Sequence, residues 1–177
     1  MGKEQALCIY TVLLRYTDTI CGNLSSDKYV FYEDFVNHND MWDECIYQKK
    51  LQEGDTLGDR MQHAFRDVFE YGYQKVVIIE SDCYELTSTI ITESFEALSH
   101  QDVVIGPALD GGYYLLGMKK CIREIFDNKN WGGSTLYDDT VRQLGERGYS
   151  YRSLIELNDV DVESDIDFSK FNALDLE

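Results

Sequence analysis

The chain has 177 residues, with 16 Lys or Arg against 33 Asp or Glu and a formal net charge of −17. That surplus of acid argues against nucleic acid and against an anionic membrane surface as partners, because both are bound through Lys and Arg. A hydrophobic content of 44%, with 13 Tyr and 8 Phe, excludes a disordered acidic tail, and apolar runs as short as Val76 to Ile79 exclude a bilayer span.

Five cysteines, Cys8, Cys21, Cys45, Cys83 and Cys121, are odd in number and widely spaced, with no Cys-x-x-Cys pair. Reduced thiols follow, rather than a disulfide framework or a zinc knuckle. The opening Met1-Gly2-Lys3-Glu4-Gln5 runs into an amphipathic pattern rather than a secretory leader. A single cytoplasmic domain is therefore expected over residues 1–177.

Ala6, Tyr10, Leu13, Leu14, Thr17 and Cys21 predict a helix over most of residues 3–21, stopped by a left-handed Gly22-Asn23. Lys28 to Tyr32 is rich in β-favouring residues, and Cys45-Ile46-Tyr47 is weakly strand-like. Leu57, Met61, Ala64, Phe65, Val68 and Phe69 repeat at helical spacing, and Gly72 ends that helix. Lys75 to Glu80 is a continuous apolar run of the kind buried on both faces of a parallel sheet, and it delivers Ser81-Asp82-Cys83 into a loop. Thr87 or Ser88 caps a helix that turns Ile91, Phe95 and Leu98 inward. Asp102 to Gly106 is a second buried strand, stopped at Pro107. Asp110-Gly111-Gly112 turns the chain into a strand over 113–118. A helix over 134–147, a strand near 151–157, an acidic segment from Asp159 to Asp167 and a short terminal helix complete the chain. Alternating β and α units predict a mostly parallel central sheet with helices on both faces.

In such sheets ligands sit beyond the carboxyl ends of the strands. That rule singles out the Ser81-Asp82 loop, the Asp110-Gly111-Gly112 turn and the loop at Asp159-Val160-Asp161. Asp82 with Asp161 and Asp159 suits Mg²⁺ or Mn²⁺, hard ions that prefer oxygen ligands and retain waters for phosphate oxygens. The plainer reading makes Asp82 a helix cap and the others solvated charge. Gly54 and Gly58 flank a helix start where backbone N–H groups can approach an anion, with Arg60 in reach of a phosphate; the plainer reading is a capped loop-to-helix junction with Gly58 as a packing gap. Gly111 and Gly112 let a sugar approach the backbone, and Asp110 can take a proton from a hydroxyl, although Asp-Gly-Gly is also an ordinary turn. Trp131, ahead of Gly132-Gly133-Ser134-Thr135, either stacks on a ligand ring or anchors the core. His38, His63 and His100 fall in none of these loops, and Cys83 reads as a small core residue.

Taken together, these stretches resemble the bacterial nucleotide-diphospho-sugar transferases with the GT-A glycosyltransferase fold. Gln52-Glu53-Gly54-Asp55-Thr56-Leu57-Gly58-Asp59-Arg60-Met61 is similar to that family's Q-x-G-x-[DN]-L-G-x-R-M. Residues 106–117 match G-P-x-x-D-G-G-Y-Y-L-[IL]-G, Trp131 to Thr135 match W-G-x-S-T, and Asp159 to Asp165 resemble D-[IV]-D-T-P-E-D. Ile79-Glu80-Ser81-Asp82-Cys83-Tyr84 is similar to [IL]-G-x-D-x-P, but Glu80 stands where the family has Gly and Tyr84 where it has Pro. Thr56 and Val162-Glu163 also depart from the pattern.

The resemblance implies a three-layer GT-A domain using a nucleotide-diphospho-sugar donor, an acceptor it does not name, and Mg²⁺ or Mn²⁺. By it, Asp82, Asp161 and Asp159 are metal and diphosphate residues, and Asp110 and Asp82 are catalytic. Gly54, Gly58, Arg60, Gly111, Gly112, Tyr113, Trp131 and Ser134 would line the nucleotide or substrate pocket. The family opens with a strand and a basic nucleotide-binding loop that find no match here, so the domain reads as incomplete at its front, and a second copy of the chain becomes a candidate partner. A nucleotidylyltransferase of the guanylyltransferase kind, and a non-catalytic binding module, are the two rival readings.

Overall fold

A computed structural model describes residues 2–171. Five helices are present among them: α1 (Lys3–Gly22), α2 (Leu57–Glu70), α3 (Ser88–Ala97), α4 (Leu136–Glu146) and α5 (Phe168–Phe171). Six strands alternate with them: β1 (Lys28–Tyr32), β2 (Tyr47–Leu51), β3 (Val76–Ile79), β4 (Val103–Pro107), β5 (Tyr113–Met118) and β6 (Tyr151–Ser153).

The strands form two sheets rather than the one expected. β1 and β2 pair in parallel, and a four-stranded sheet runs in the order β3-β5-β4-β6. β4 and β6 are parallel, but β5 runs antiparallel to both of its neighbours. The mostly parallel sheet is thus only partly met, for a local reason. A parallel connection needs a crossover of a dozen or more residues, whereas the turn between β4 and β5 is tight, with Gly111 N–H donating to Ala108 C=O at 3.0 Å.

β3, β4 and β5 of the four-stranded sheet are covered on both faces, which is why they read as unbroken apolar runs, whereas the exposed edge strand β6 is Tyr-Arg-Ser. Val103, Ile105, Leu116 and Met118 face a cluster completed by Met61, Phe65 and Val68 of α2 and by Leu136 and Leu144 of α4. Val104, Tyr114 and Leu115 face the opposite way, onto Ile91 of α3 and the adjoining Leu98. The result is a helix–sheet–helix sandwich. The small sheet shares the first cluster, because Tyr29 and Phe31 pack against it beside Ile78 of β3. Phe65 alone contributes a fully buried ring, and burying such a side chain is worth about 1.5–3 kcal/mol.

Local expectations hold unevenly. α1 forms, but its buried side is Ile9, Leu13 and Thr17, while Ala6 and Tyr10 are exposed. The reason is its partner: Ile9 and Leu13 meet Tyr84, Ile166 and Phe171 from distant parts of the chain. Gly22-Asn23 ends the helix without a left-handed residue, since Asn23 has φ −89°. Leu57 is exposed at the first turn of α2, and β2 begins only at Tyr47, with Cys45 and Ile46 exposed ahead of it. Thr87 caps α3 by accepting from Ile90 N–H.

The N-terminus of α2 is closed by a reciprocal pair of bonds. Thr56 Oγ1 accepts from Asp59 N–H at 3.2 Å, and Asp59 Oδ2 accepts from Thr56 N–H at 3.1 Å. Thr56→Ala removes one half of this pair and is expected to cost about 1 kcal/mol, read as a lower urea midpoint with an unchanged slope.

Candidate functional site

Three segments meet beyond the carboxyl ends of β3 and β4, and backbone bonds hold them there. Glu80 N–H donates to Tyr114 C=O at 3.0 Å, fixing the exit of β3 against β5. Leu157 N–H donates to Pro107 C=O at 3.1 Å and Leu109 N–H to Leu157 C=O at 3.0 Å, so the stretch leading to Asp159 runs alongside the end of β4. The same stretch is tied to the loop after β3, because Asn158 N–H donates to Glu85 Oε2 at 3.1 Å and the Cys83 thiol donates to Asn158 C=O at 3.4 Å. Cys83 is buried, as expected of a core residue.

These ties gather five carboxylates: Glu80, Asp82, Asp110, Asp159 and Asp161. Glu80 feels the other four; burial first, and then their charge, pushes its carboxyl up to about 8. Asp159, only 9% exposed, is pushed up to about 6 by burial and then by Asp110, Asp161 and Asp82. Burial, with a lesser push from Asp161 and Asp110, also raises Asp82. Lys, Arg and His are missing from the influences on all three groups. Asp82 Oδ1 is a buried atom with no hydrogen-bond partner among the described residues and belongs to this cluster, while the Tyr113 hydroxyl beside Glu80 has Thr140 as its neighbour. Buried polar atoms are normally paired, so the unpaired Asp82 Oδ1 is the exception in this cluster.

The Asp110 turn is shaped by its glycines. Gly111 has φ +94°, and a Cβ there would lie 2.1 Å from the Ser134 carbonyl oxygen. Asp110 Oδ1 accepts from Gly112 N–H at 2.7 Å, closing the turn. Tyr137 N–H donates to Gly111 C=O at 2.9 Å, which locks the turn onto the start of α4. Of the residues singled out in the sequence, Asp82, Asp110, Asp159 and Asp161 are brought together, with Gly112 bonded to Asp110, Ser134 packed against Gly111, and Tyr113 beside Glu80.

Gly54, Gly58 and Arg60 form a separate neighbourhood at the start of α2. Arg60 is held by Glu33 at 2.9 Å, by Gln52 at 3.2 Å and by the Gly54 carbonyl at 3.3 Å. Gly58 makes room for Trp131, since a Cβ on it would sit 2.3 Å from the indole nitrogen. Trp131 in turn stacks on Phe126 and meets Tyr113 edge-on at 6.4 Å. Trp131 therefore anchors the core and bridges the two neighbourhoods.

Glu80 is the residue that sequence reasoning missed as a participant. Its signal was available: a carboxylate closing an otherwise apolar buried strand. Elsewhere, Glu4, Leu7, Thr11 and Arg15 edge a shallow hollow on the outer side of α1, well removed from these carboxylates in the chain. Among the described residues no helix is long and apolar enough to cross a membrane.

The sequence profile of DUF2064, a family of uncharacterized proteins conserved in bacteria, matches residues 17–133. This chain belongs to that family. The DUF2064 chain is also similar to a Desulfovibrio desulfuricans G20 protein provisionally assigned as a nucleotide-diphospho-sugar transferase, at 29% identity and a TM-score of 0.83, over 92% of this chain and 73% of that one. A Mycobacterium sp. strain JC1 homologue of Mycobacterium tuberculosis Rv0371c matches at 14% identity and a TM-score of 0.58, over 93% and 84% of the two chains, and shares the fold. No curated protein matches the chain. The resemblance to nucleotide-diphospho-sugar transferases is borne out at the level of family and fold.

Proposed function

We propose that this DUF2064 protein transfers a sugar from a nucleotide-diphospho-sugar donor with the help of Mg²⁺ or Mn²⁺. The observation that carries the reading is the cluster of carboxylates at the ends of β3 and β4, on a fold that at 29% identity follows a provisionally assigned transferase. Asp82, Asp159 and Asp161 supply hard oxygen donors, the chemistry that suits either ion, and the orphaned Asp82 Oδ1 has an acceptor to spare. Among the described residues no three such groups converge into a ready-made cage, so the donors must draw inward when an ion enters.

When bound, the ion supplies charge neutralisation for a departing nucleoside diphosphate. The chain's own residues do the rest. Asp110 takes the proton of the acceptor hydroxyl, Gly111 and Gly112 admit the sugar to the backbone, and Tyr113 with Trp131 forms the wall behind it. The acidic surroundings make the ion more than an accessory, because a diphosphate placed among unpaired carboxylates would otherwise be repelled.

Thermal unfolding against a panel of UDP, GDP, CDP and dTDP sugars with Mn²⁺ tests the reading. A ligand at 100 times its dissociation constant adds about 2.7 kcal/mol. The expected outcome is a shift that needs both Mn²⁺ and one nucleotide, disappears in Asp82→Asn, and accompanies release of a nucleoside diphosphate. Release of pyrophosphate would favour a nucleotidylyltransferase instead, and no shift with any nucleotide would leave a binding module without this chemistry.

A further inference from the structure

Residues 2–8 are exposed throughout, so the first turns of α1 are left bare by the described residues. Gly2 gives the helix no side-chain cap, and a helix draws most of its stability from packing. Leu7 is nonetheless 65% exposed, with the exposed Cys8 beside it. The hollow here follows one face of the helix, over Glu4, Leu7, Cys8, Thr11, Val12 and Arg15. Steps of three and four residues bring these side chains onto one stripe, apart from the Ile9, Leu13 and Thr17 side that is buried. Thr11 Oγ1 donates to Leu7 C=O at 2.8 Å, so its polar atom needs no outside partner. Among the described residues neither Glu4 nor Arg15 has an ion-pair partner.

We propose that this stripe is where a second copy of the chain docks, the two α1 helices lying antiparallel about a two-fold axis. The order of side chains along the stripe is its own complement. Turning one helix end for end about the point between Ile9 and Tyr10 brings Glu4 level with Arg15 of the second copy, Leu7 level with Val12, and Cys8 level with Thr11. Every such contact occurs twice, as a closed pair of identical surfaces requires. Opposite charges then meet at both ends, and the small Cys8 and Thr11 let the backbones approach at the crossing. Parallel helices would instead set Glu4 against Glu4 and Arg15 against Arg15, so the charge pattern selects the antiparallel pair. A net charge of −17 keeps two copies apart at long range, which leaves association to a surface matched in this way. A wholly basic or wholly acidic stripe would suit a different partner; one acid and one base equally far from the centre suit a copy of the same helix. Contact over about three turns is small beside the roughly 800 Å² per partner of a standard interface, so the expected dissociation constant is on the order of 10 µM. The surface uses none of the carboxylates at the ends of β3 and β4, and the proposal does not depend on what they bind.

Sedimentation equilibrium of the full chain, at concentrations below and above that constant, tests it. Wild type is expected to pass from monomer to dimer. Glu4→Arg and Arg15→Glu each place like charges at both ends of the contact, and each is expected to weaken the dimer about tenfold. Mixed in equal amounts, the two variants should recover wild-type association as heterodimers, because each then meets the opposite charge on its partner. The double variant Glu4→Arg/Arg15→Glu should recover it unmixed. Damage to α1 from either exchange would persist in the mixture and in the double variant, so recovery reads pairing between copies rather than helix stability. Far-ultraviolet circular dichroism establishes that each variant is folded. A wild type that stays monomeric throughout would overturn the proposal and leave the stripe to a different partner. A dimer that both single variants leave intact would overturn it too, since its contact would lie elsewhere on the chain. Single variants that dissociate and fail to recover on mixing would overturn the antiparallel pairing on which it stands.

Discussion

Glu80→Gln is expected to make this protein more stable than wild type above pH 8, and little different from it near pH 4. The carboxyl of Glu80 titrates at about 8 in the folded protein against an ordinary 4.5. Between those values the folded chain holds a proton that the unfolded chain has released. Rising pH therefore favours unfolding across that window, and stability that is complete below 4.5 has been lost by the time pH passes 8. At 1.36 kcal/mol per pKa unit the loss approaches about 4–5 kcal/mol, an upper figure for a cluster free to rearrange. Glutamine has nearly the same shape and cannot ionise, so the variant escapes this loss. A shallower slope survives in it from Asp159, whose carboxyl is raised to about 6. Urea unfolding at intervals from pH 4 to pH 9 reads both curves. Parallel curves for the two proteins would show that Glu80 is not held neutral.

Gly111→Ala is expected to destabilise by about 3 kcal/mol. Two costs combine, and they arise from different atoms. A residue with Cβ held at φ +94° is strained by roughly 1–2 kcal/mol. The added carbon also meets the backbone of Ser134 at 2.1 Å, and backbone cannot swing aside as a side chain can; overpacking of this kind costs about 1–3 kcal/mol. Relief requires the Asp110 turn and the start of α4 to part, which breaks the bond from Tyr137 N–H to Gly111 C=O. Asp110 then moves away from Asp159, so binding should fall along with stability. Gly145→Ala supplies the opposite sign in the same experiment. It lies in α4 with nothing within 4 Å of a new Cβ, and there alanine should stabilise by about 0.5–1 kcal/mol. Urea midpoints of the two variants decide the matter.

The alternation of strands and helices was legible in the sequence because burial on both faces writes itself as unbroken apolar runs, as in Val76 to Ile79 and Val103 to Ile105. The four aspartates of the cluster were legible because loops after such strands face one edge of the sheet. Other features depended on tertiary partners. The inner face of α1 is set by Tyr84, Ile166 and Phe171, so periodicity alone placed it one stripe away. The reversal of β5 came from turn geometry rather than from the strand itself. Gly58 and Trp131, each readable as ligand contacts, turn out to be fitted to one another. Glu80 escaped notice because a charged residue at a strand end normally points to water, and only the fold reveals how little water is there.

The division of the strands into two sheets bears on how the protein breathes. Gln52 N–H donates to Tyr32 C=O, so by alternation along the ladder Tyr29 and Phe31 turn their backbone groups away from β2. Glu80 N–H donates to Tyr114 C=O, so Val77 and Ile79 likewise turn theirs away from β5. The amides of Tyr29 and Phe31 in one sheet and of Val77 and Ile79 in the other thus lie outside both ladders, while side chains from both sheets share one apolar cluster with α2. In hydrogen exchange these four amides should label rapidly beside two protected blocks. The block holding β4 and β5 would release its protons only in global unfolding, and the β1–β2 pair would release them in a separate, cheaper opening.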